Sequence, residues 1–260
     1  MSTLVQPELD QTTAPIVRRE RVLTWRDLGI PLVCAIAVIL ELSYLEQAQM
    51  GQIERQLVEV STIWDYTLQH IQITATITVL VLLVAVPLGV AMTRKQLRWL
   101  SPLVLGLGNV GQAAPIVGLI AIIGSFWIGF WPVVLIISAF SILPVLRNTI
   151  VGIQQVDPGV IDAARGMGMS STGILLRVEL PMAVPIIAAG ARTALILAVA
   201  VVPLGTDLNA GGLGQIVFPA IKLDRTSALV CGGLFIAVLA LLLDWLGGLA
   251  QRALTPRGIR

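Results

Sequence analysis

Charged residues are scarce in this chain of 260 residues: they make up 12% of it, whereas 56% of the residues are apolar. A soluble domain carries about 25% charged residues and about 45–50% apolar ones, so the composition excludes an ordinary soluble protein. Several apolar runs have the length needed to cross a hydrocarbon layer about 30 Å thick. The sequence therefore predicts an all-α polytopic membrane protein.

Cysteine, histidine and lysine are also rare, and each scarcity excludes a class of site. Cys34 and Cys231 lie in apolar runs far apart in the sequence, which favours neither a disulfide nor a metal site. The single histidine, His70, is expected near the outer interface in an interfacial or capping role, without partners for catalysis. The only lysines, Lys95 and Lys222, do not follow a glycine, so the phosphate-binding sequence GxxxxGK[ST] is absent. No catalytic residue, bound metal or bound cofactor is expected in this chain.

Six apolar segments are predicted to span the membrane, namely residues 28–45, 71–92, 100–124, 126–146, 182–204 and 228–249. With the N-terminus inside, 13 of the 17 basic residues fall on the cytoplasmic side, Arg147 among them, and only Arg55, Lys222 and Arg225 fall outside. This bias follows the positive-inside rule. It predicts a multi-pass protein of a bacterial inner membrane with both termini in the cytoplasm.

The first segment has a second interpretation. A basic region precedes it, and its uninterrupted apolar run covers only residues 28–40, as in a secretory signal. No small-residue cleavage site follows, so a retained helix that starts inside is favoured over a cleaved one.

The segment between the fourth and fifth spans is too patterned for a simple linker. Asp157 and Pro158 are typical of a helix start. A short amphipathic helix should follow, with a turn at Gly166 and Gly168 and a second short helix capped near Ser170. A hairpin lying on the lipid headgroups would fit this amphipathicity equally well.

The spacing of particular residues in this segment resembles the EAA loop of bacterial ABC-import permeases. The matching positions are Asp162, Ala163, Ala164, Gly168, Val178, Leu180 and Pro181. The resemblance implies that the loop, residues 157–181, is the coupling helix that docks on a separate ATPase subunit. It also implies the type I ABC-importer permease fold, with ATP and Mg²⁺ used by the partner ATPases.

A wider similarity covers roughly residues 67–258 and points to the osmoprotectant permeases, which import glycine betaine, carnitine, choline or proline. It includes the sequences GQAAP at 111–115, GGLG at 211–214 and LTPRG at 254–258. The implied organisation is a cytoplasmic tail (1–27), an extra helix and outer loop (28–66), the permease domain (67–252) and a second cytoplasmic tail (253–260). The implied partners are a second permease copy or a paralogue, two ABC ATPases, an external solute-binding protein and membrane lipids; nucleic acid is not expected.

Polar residues inside the predicted spans are candidates for the solute path. Arg192 would lie near mid-membrane, either in that path or bonded to carbonyls or to an acid on another helix. Asn109 and Gln112, beside Pro115, either line the path or bond helices together. The loop containing Gly211, Gly212 and Gly214 is a candidate outer gate.

Two other functions stay open at this point. The EAA loop also occurs in permeases for methionine, sulfonates and other small solutes, including other amino acids, so the cargo is not fixed by it. An ion-coupled secondary transporter would require intramembrane carboxylates at a midplane site, whereas the acidic residues here lie mostly in loops and at span ends.

Overall fold

The computed structural model describes residues 25–255, and within that part the chain is helical without any strand. The helices are α1 (Gly29–Gln47), α2 (Gln52–Leu57), α3 (Val60–Thr93), α4 (Ser101–Ala113), α5 (Ile116–Gly124), α6 (Phe130–Gln154), α7 (Pro158–Gly166), α8 (Ser171–Ile174), α9 (Leu180–Val201), α10 (Gly214–Lys222) and α11 (Thr226–Leu254). Shorter 3-10 turns occupy Trp25–Leu28, Arg98–Leu100 and Val202–Leu208, and a π-helical turn occupies Leu175–Glu179. The two predicted tails, 1–27 and 253–260, lie largely outside the described residues.

Five helical stretches are long and apolar enough to cross a membrane: α1, α3, α6, α11 and the stretch from Ser171 to Leu208. The expectation of a polytopic helical protein is therefore confirmed. Most of these helices extend past the apolar segments read from the sequence. For example, α3 begins at Val60, eleven residues before the span expected at 71. Hydropathy marks the lipid-crossing part of a helix, whereas polar residues such as Ser61, Thr62 and Asp65 continue the same helix beyond it.

The third predicted span, 100–124, is not one straight helix. It consists of α4 and α5, which are bent by 82° at the break around Ala114 and Pro115. Proline lacks an amide hydrogen and pushes the residue before it into an extended conformation, and Ala114 has ψ 139°. The proline in the sequence therefore accounts for the break, although the uninterrupted apolar run predicted a single continuous helix.

The core of the bundle is formed by α3, α6 and α9. Large aliphatic side chains are fully buried there, such as Ile77 on α3 and Ile137 on α6. Gly89 on α3 lies against the side chain of Thr149, so the two backbones approach closely. A second apolar cluster joins α10 and α11 to Leu45 of α1, which places the first helix at the edge of the bundle against α11.

The two ends of the bundle carry different structures. One end bears α7 and the turn that follows it, and we call it the α7 end. The opposite end bears the glycine-rich loop 209–213 and α10, and we call it the α10 end. The stretch from Ser171 to Leu208 runs from one end to the other.

Candidate functional site

Helix α7 begins as its sequence predicts. Asp157 is the N-cap: its Oδ1 accepts a hydrogen bond from the amide of Gly159 at 2.7 Å, and Pro158 occupies the first turn. The carboxylate thus satisfies one of the amides that a helix start leaves without a partner.

Helix α7 ends in a Schellman turn at Gly168. The amide of Gly168 donates to the carbonyl of Arg165 at 2.9 Å, and the amide of Met169 donates to the carbonyl of Ala164 at 3.1 Å. These are the two bonds that define the motif. The residue just after the helix cap, here Gly168, must have a left-handed conformation. Gly168 has φ +78°, a conformation that other residues rarely adopt, and no atom would meet a side chain placed there. The turn expected at this glycine is confirmed, and its need for glycine comes from the backbone, not from crowding.

The second short helix of this segment is not separate from the bundle. Ser170 caps α8 through a hydrogen bond to its Oγ from the amide of Gly173 at 3.2 Å, as expected. From there α8, the π-helical turn and α9 form one continuous helical stretch. Pro181, the last residue of the expected loop 157–181, therefore lies inside this stretch, just after the π-helical turn.

The residues that match the EAA spacing fall on one structural unit at the α7 end. Asp162, Ala163 and Gly168 are exposed, whereas Ala164 is buried. Val178, Leu180 and Pro181 are partly buried where the long helical stretch enters the bundle. The apolar side chains of Met167 and Leu176 are also exposed, at 75% and 58%. These exposed apolar side chains next to the turn could contact a partner protein.

An ion pair fixes this segment to α3. Nη2 of Arg94, just after α3, lies 2.5 Å from Oε2 of Glu179 in the π-helical turn, and the Glu179 side chain is only 10% exposed. The same guanidinium also donates to Oγ1 of Thr93. The segment after α7 is therefore attached to two core helices. It continues directly into α9, and the ion pair holds it to the end of α3.

Arg192 is paired with an acid on another helix. Its Nε and Nη2 donate to the two carboxylate oxygens of Asp244 on α11, both at 2.5 Å. Gly247 and Gly248, one turn further along α11, make room for the arginine stem. Of the two alternatives for Arg192, the structure thus shows the bond to an acid on another helix, and the pair carries no net charge.

Asn109 and Gln112 on α4 both bond to α6. Nε2 of Gln112 donates to the carbonyl of Phe140 at 2.9 Å, and Oδ1 of Asn109 accepts from Nη2 of Arg147 at 3.0 Å. Pro115, the third candidate on this stretch, is the N-cap residue of α5 at the bend. Sequence reasoning assigned Arg147 to the cytoplasmic loops, but the structure places it within α6, seven residues before that helix ends. The sequence offered one signal for this position: Asn109, a polar residue in an apolar helix, needed a polar partner on a neighbouring helix.

The glycine-rich loop at the α10 end is tightly held. Gly211 and Gly212 both have φ +88°, and a side chain on Gly214 would lie 2.5 Å from the carbonyl oxygen of Pro203. Gln69 of α3 accepts a hydrogen bond from the amide of Gly212 at 3.1 Å. All three glycines are therefore required by the loop's shape, whether or not the loop is a gate.

The side chain of His70, which was expected near the outer interface in an interfacial or capping role, is fully buried in the bundle at the α10 end. Its Nε2 lies 3.1 Å from the carbonyl oxygen of Val199 on α9, and its Nδ1 accepts from the amide of Leu213 at 3.4 Å. The carbonyl requires that Nε2 carry the proton. The histidine therefore joins α3, α9 and Leu213, the N-cap residue of α10, which is the capping part of the expected role.

Within the described residues, no group of three or more histidine, cysteine or carboxylate side chains could hold a metal ion. A cavity of about 340 Å³ lies between α5, the turn Val202–Leu208 and α10, and its polar lining includes Ser125 and Asp207. The carboxylate of Asp207 is already paired with Lys222 at 3.1 Å.

Comparison with known proteins places these features in a wider setting. Residues 85–257 match the family described as binding-protein-dependent transport system inner membrane component. The chain is 34% identical over 217 residues to the osmoprotectant import permease protein OsmW of Salmonella typhimurium, covering 81% of this chain and 100% of that protein. It is 33% identical over 193 residues to the glycine betaine/carnitine/choline transport system permease protein OpuCB of Bacillus subtilis, covering 74% and 88% respectively.

A solved structure shares the fold. A chain of the MetNI methionine ABC transporter, in an inward-facing conformation, superimposes with a TM-score of 0.67 at 21% identity, covering 80% of this chain and all of that one. The expected fold class, an all-α membrane protein of the type I ABC-importer kind, is confirmed by this match.

Proposed function

Since the chain belongs to the family of binding-protein-dependent transport system inner membrane components, and is thus the permease of an ABC importer, we propose that its cargo is a compatible solute. Glycine betaine, choline, carnitine and proline are the candidates. The observation that carries this proposal is the 34% identity across the full length of a permease named for osmoprotectant import.

The α7 segment is the contact for the ATPase subunits in this proposal. Its exposed apolar residues and its rigid Schellman turn support docking in a partner's cleft, and the matching EAA residues lie beside that turn. The ATPases bind and hydrolyse ATP with Mg²⁺, and this chain supplies the path for the solute without a catalytic role. The α7 end then faces the cytoplasm, and the α10 end faces outward toward the solute-binding protein.

The long helical stretch provides a physical route for coupling. From Ser171 to Leu208 it covers 38 residues, about 55 Å at 1.5 Å per residue. It begins three residues after Gly168 and ends beside the glycine-rich loop. A displacement of α7 by the ATPases would therefore reach the outer loop through one continuous helix, with Arg94 carrying part of it to α3.

The assembly consists of two permease chains in the bacterial inner membrane, either two copies or one copy with a paralogue, together with two ATPases and an external binding protein. The apolar and exposed surface of α4 and α5, which includes Leu107 and Val110, supports an extensive contact with lipid or with the second permease. Nucleic acid has no place in this assembly.

The experiment that tests the function is ATP-dependent uptake in proteoliposomes containing this chain, its ATPase and its binding protein. Radiolabelled glycine betaine, choline, carnitine and proline are supplied in turn, and ATP hydrolysis is followed in parallel. Uptake of at least one of them is expected. Uptake of none, together with ATPase activity stimulated by methionine or a sulfonate, would keep the importer and reject the cargo class.

Two variants at Gly168 test the coupling segment in the same vesicles. Asparagine tolerates the left-handed conformation, whereas a β-branched residue does not. Gly168→Asn should keep uptake, and Gly168→Val should lower it at least tenfold while the assembled complex still hydrolyses ATP. Equal uptake by both variants would show that the turn has no part in coupling.

A further inference from the structure

Arg147 lies within α6, one of the helices long and apolar enough to cross a membrane, and it has no counter-charge among the described residues. Its guanidinium is exposed and donates to the amide oxygen of Asn109, but no carboxylate of the described residues lies within ion-pair distance. Arg192, by contrast, is neutralised by both oxygens of Asp244. Of these two arginines, only Arg147 therefore presents a net positive charge on an exposed face of the bundle.

Distances along three helices bracket the depth of Arg147 from the α7 end. Thr149, two residues away on α6, lies against Gly89, which is five residues or about 8 Å inward from Arg94. Its neighbour Asn148 lies against Gly190, eleven residues or about 16 Å inward from Glu179.

The hydrogen-bond partner gives the third measure. Asn109 lies eight residues, about 12 Å, after the start of α4 at Ser101. Since half of a hydrocarbon layer is about 15 Å, distances of about 8 to 16 Å from the α7 end place Arg147 in the half of the layer nearest that end. The bond to Asn109 also keeps the side chain from extending back toward the interface.

An exposed, unpaired guanidinium at this depth does not face lipid. Charged side chains within a membrane face a water-filled cavity, another protein surface or a partner charge. On one side of Arg147 lies α4, whose bent continuation α5 leads toward the cavity near the α10 end. Arg147, Asn109 and Gln112 thus form a polar strip on α4 and α6.

We propose that Arg147 binds the carboxylate of the solute during its passage, so that the transported compounds are carboxylate-bearing zwitterions such as glycine betaine, carnitine and proline, and not simple cations such as choline. A guanidinium offers five N–H donors in a planar fork that fits a carboxylate with two parallel hydrogen bonds. Only one donor is used by Asn109. The same charge repels a quaternary ammonium ion that has no carboxylate. This inference rests on the proposed function and narrows its substrate class.

Glycine betaine and choline are suitable probes because both carry a trimethylammonium group and differ in having a carboxylate or a hydroxyl. In the complete complex, wild type should take up glycine betaine in clear preference to choline. Arg147→Gln, which keeps a hydrogen bond donor without charge, should lower glycine betaine uptake at least tenfold, mainly through a higher KM, and leave choline uptake unchanged or raised. Arg147→Lys, which keeps the charge, should recover part of the glycine betaine uptake.

The other outcomes separate the possible failures. If Arg147→Gln transports glycine betaine as well as wild type, or if choline is carried better than glycine betaine by wild type, the carboxylate role is overturned and the importer function stands. If glycine betaine uptake falls and Arg147→Lys recovers none of it while kcat alone changes, Arg147 is structural and the proposal is also overturned. If wild type carries none of the four candidate solutes, the cargo class itself fails.

Discussion

Arg147 and Arg192 differ in one partner, and that difference separates their proposed roles. Arg192 has both carboxylate oxygens of Asp244, so the energy of bringing its charge into the membrane is offset within the chain. Arg147 has only a neutral amide oxygen and must meet its counter-charge elsewhere. Removal of one member of such an ion pair leaves the other charge without compensation and destabilises the protein.

Removing one member of the Arg192–Asp244 pair should destabilise the protein. Arg192→Gln or Asp244→Asn leaves the other charge unpaired, which costs about 1–3 kcal/mol, less than for a fully buried pair because 38% of the Arg192 side chain is exposed. The apparent melting temperature in detergent measures the loss. The double variant should recover most of it, since a double-mutant cycle reports the interaction itself.

Solute selectivity is the control for that pair. Uptake of glycine betaine relative to choline, per folded complex, should be unchanged in Arg192→Gln. A shift in that ratio without a loss of stability would place Arg192 in the path and contradict a structural role.

At the level of these residues, the sequence predicted the caps and turns but not the pairs. Asp157, Ser170 and Gly168 act on atoms a few residues away, so their roles follow from local spacing. Arg192 and Asp244 are 52 residues apart, and His70 meets Leu213 across 143 residues. Such contacts depend on which helices become neighbours, and a single sequence gives no measure of that.

At the level of helices, close packing of α6 on α9 depends on small residues. A side chain on Gly190 of α9 would lie 2.9 Å from the carbonyl oxygen of Pro144 and 2.8 Å from Cβ of Asn148. A backbone carbonyl cannot rotate away. The two helices approach because glycine is there, as is usual between membrane helices.

Gly190→Ala should therefore lower the apparent melting temperature, because overpacking of this kind costs about 1–3 kcal/mol. Gly233→Ala in α11 is the matched control: nothing lies within 4 Å of a side chain at that position. The control should leave the melting temperature unchanged or raise it, since alanine favours helix by about 1 kcal/mol over glycine. Equal effects of the two variants would show that the α6–α9 contact is looser than the structure places it.

Element boundaries illustrate the limit of hydropathy. Each of the five stretches that are long and apolar enough to cross a membrane, among the described residues, overlaps a predicted segment. Helices α4 and α5 were joined because the bend at Pro115 leaves the apolar run uninterrupted. The same proline was visible in the sequence. Proline inside a membrane helix is common enough that its position alone did not distinguish a kink from a break of 82°.

At the level of the whole molecule, function depends on which end faces the cytoplasm. The α7 end can contact an ATPase only if it lies inside, and the glycine-rich loop can meet a binding protein only if it lies outside. The bias of basic residues predicts this orientation. If Arg147 is left out because it lies within α6, the number of basic residues on the cytoplasmic side falls by one and the bias stays strong.

Two single cysteines at opposite ends of α3 can measure this orientation. Gln56 precedes α3, Gln96 follows it, and both are exposed and uncharged, so replacement by cysteine should leave the fold intact. The native Cys34 and Cys231 are only 3% and 0% exposed and should not react with a membrane-impermeant maleimide. In intact cells with a permeable outer layer, Gln56→Cys should be labelled at once, and Gln96→Cys only after the inner membrane is opened. The reverse pattern would place α7 outside, where no ATP is available, and would reject the coupling role of that segment.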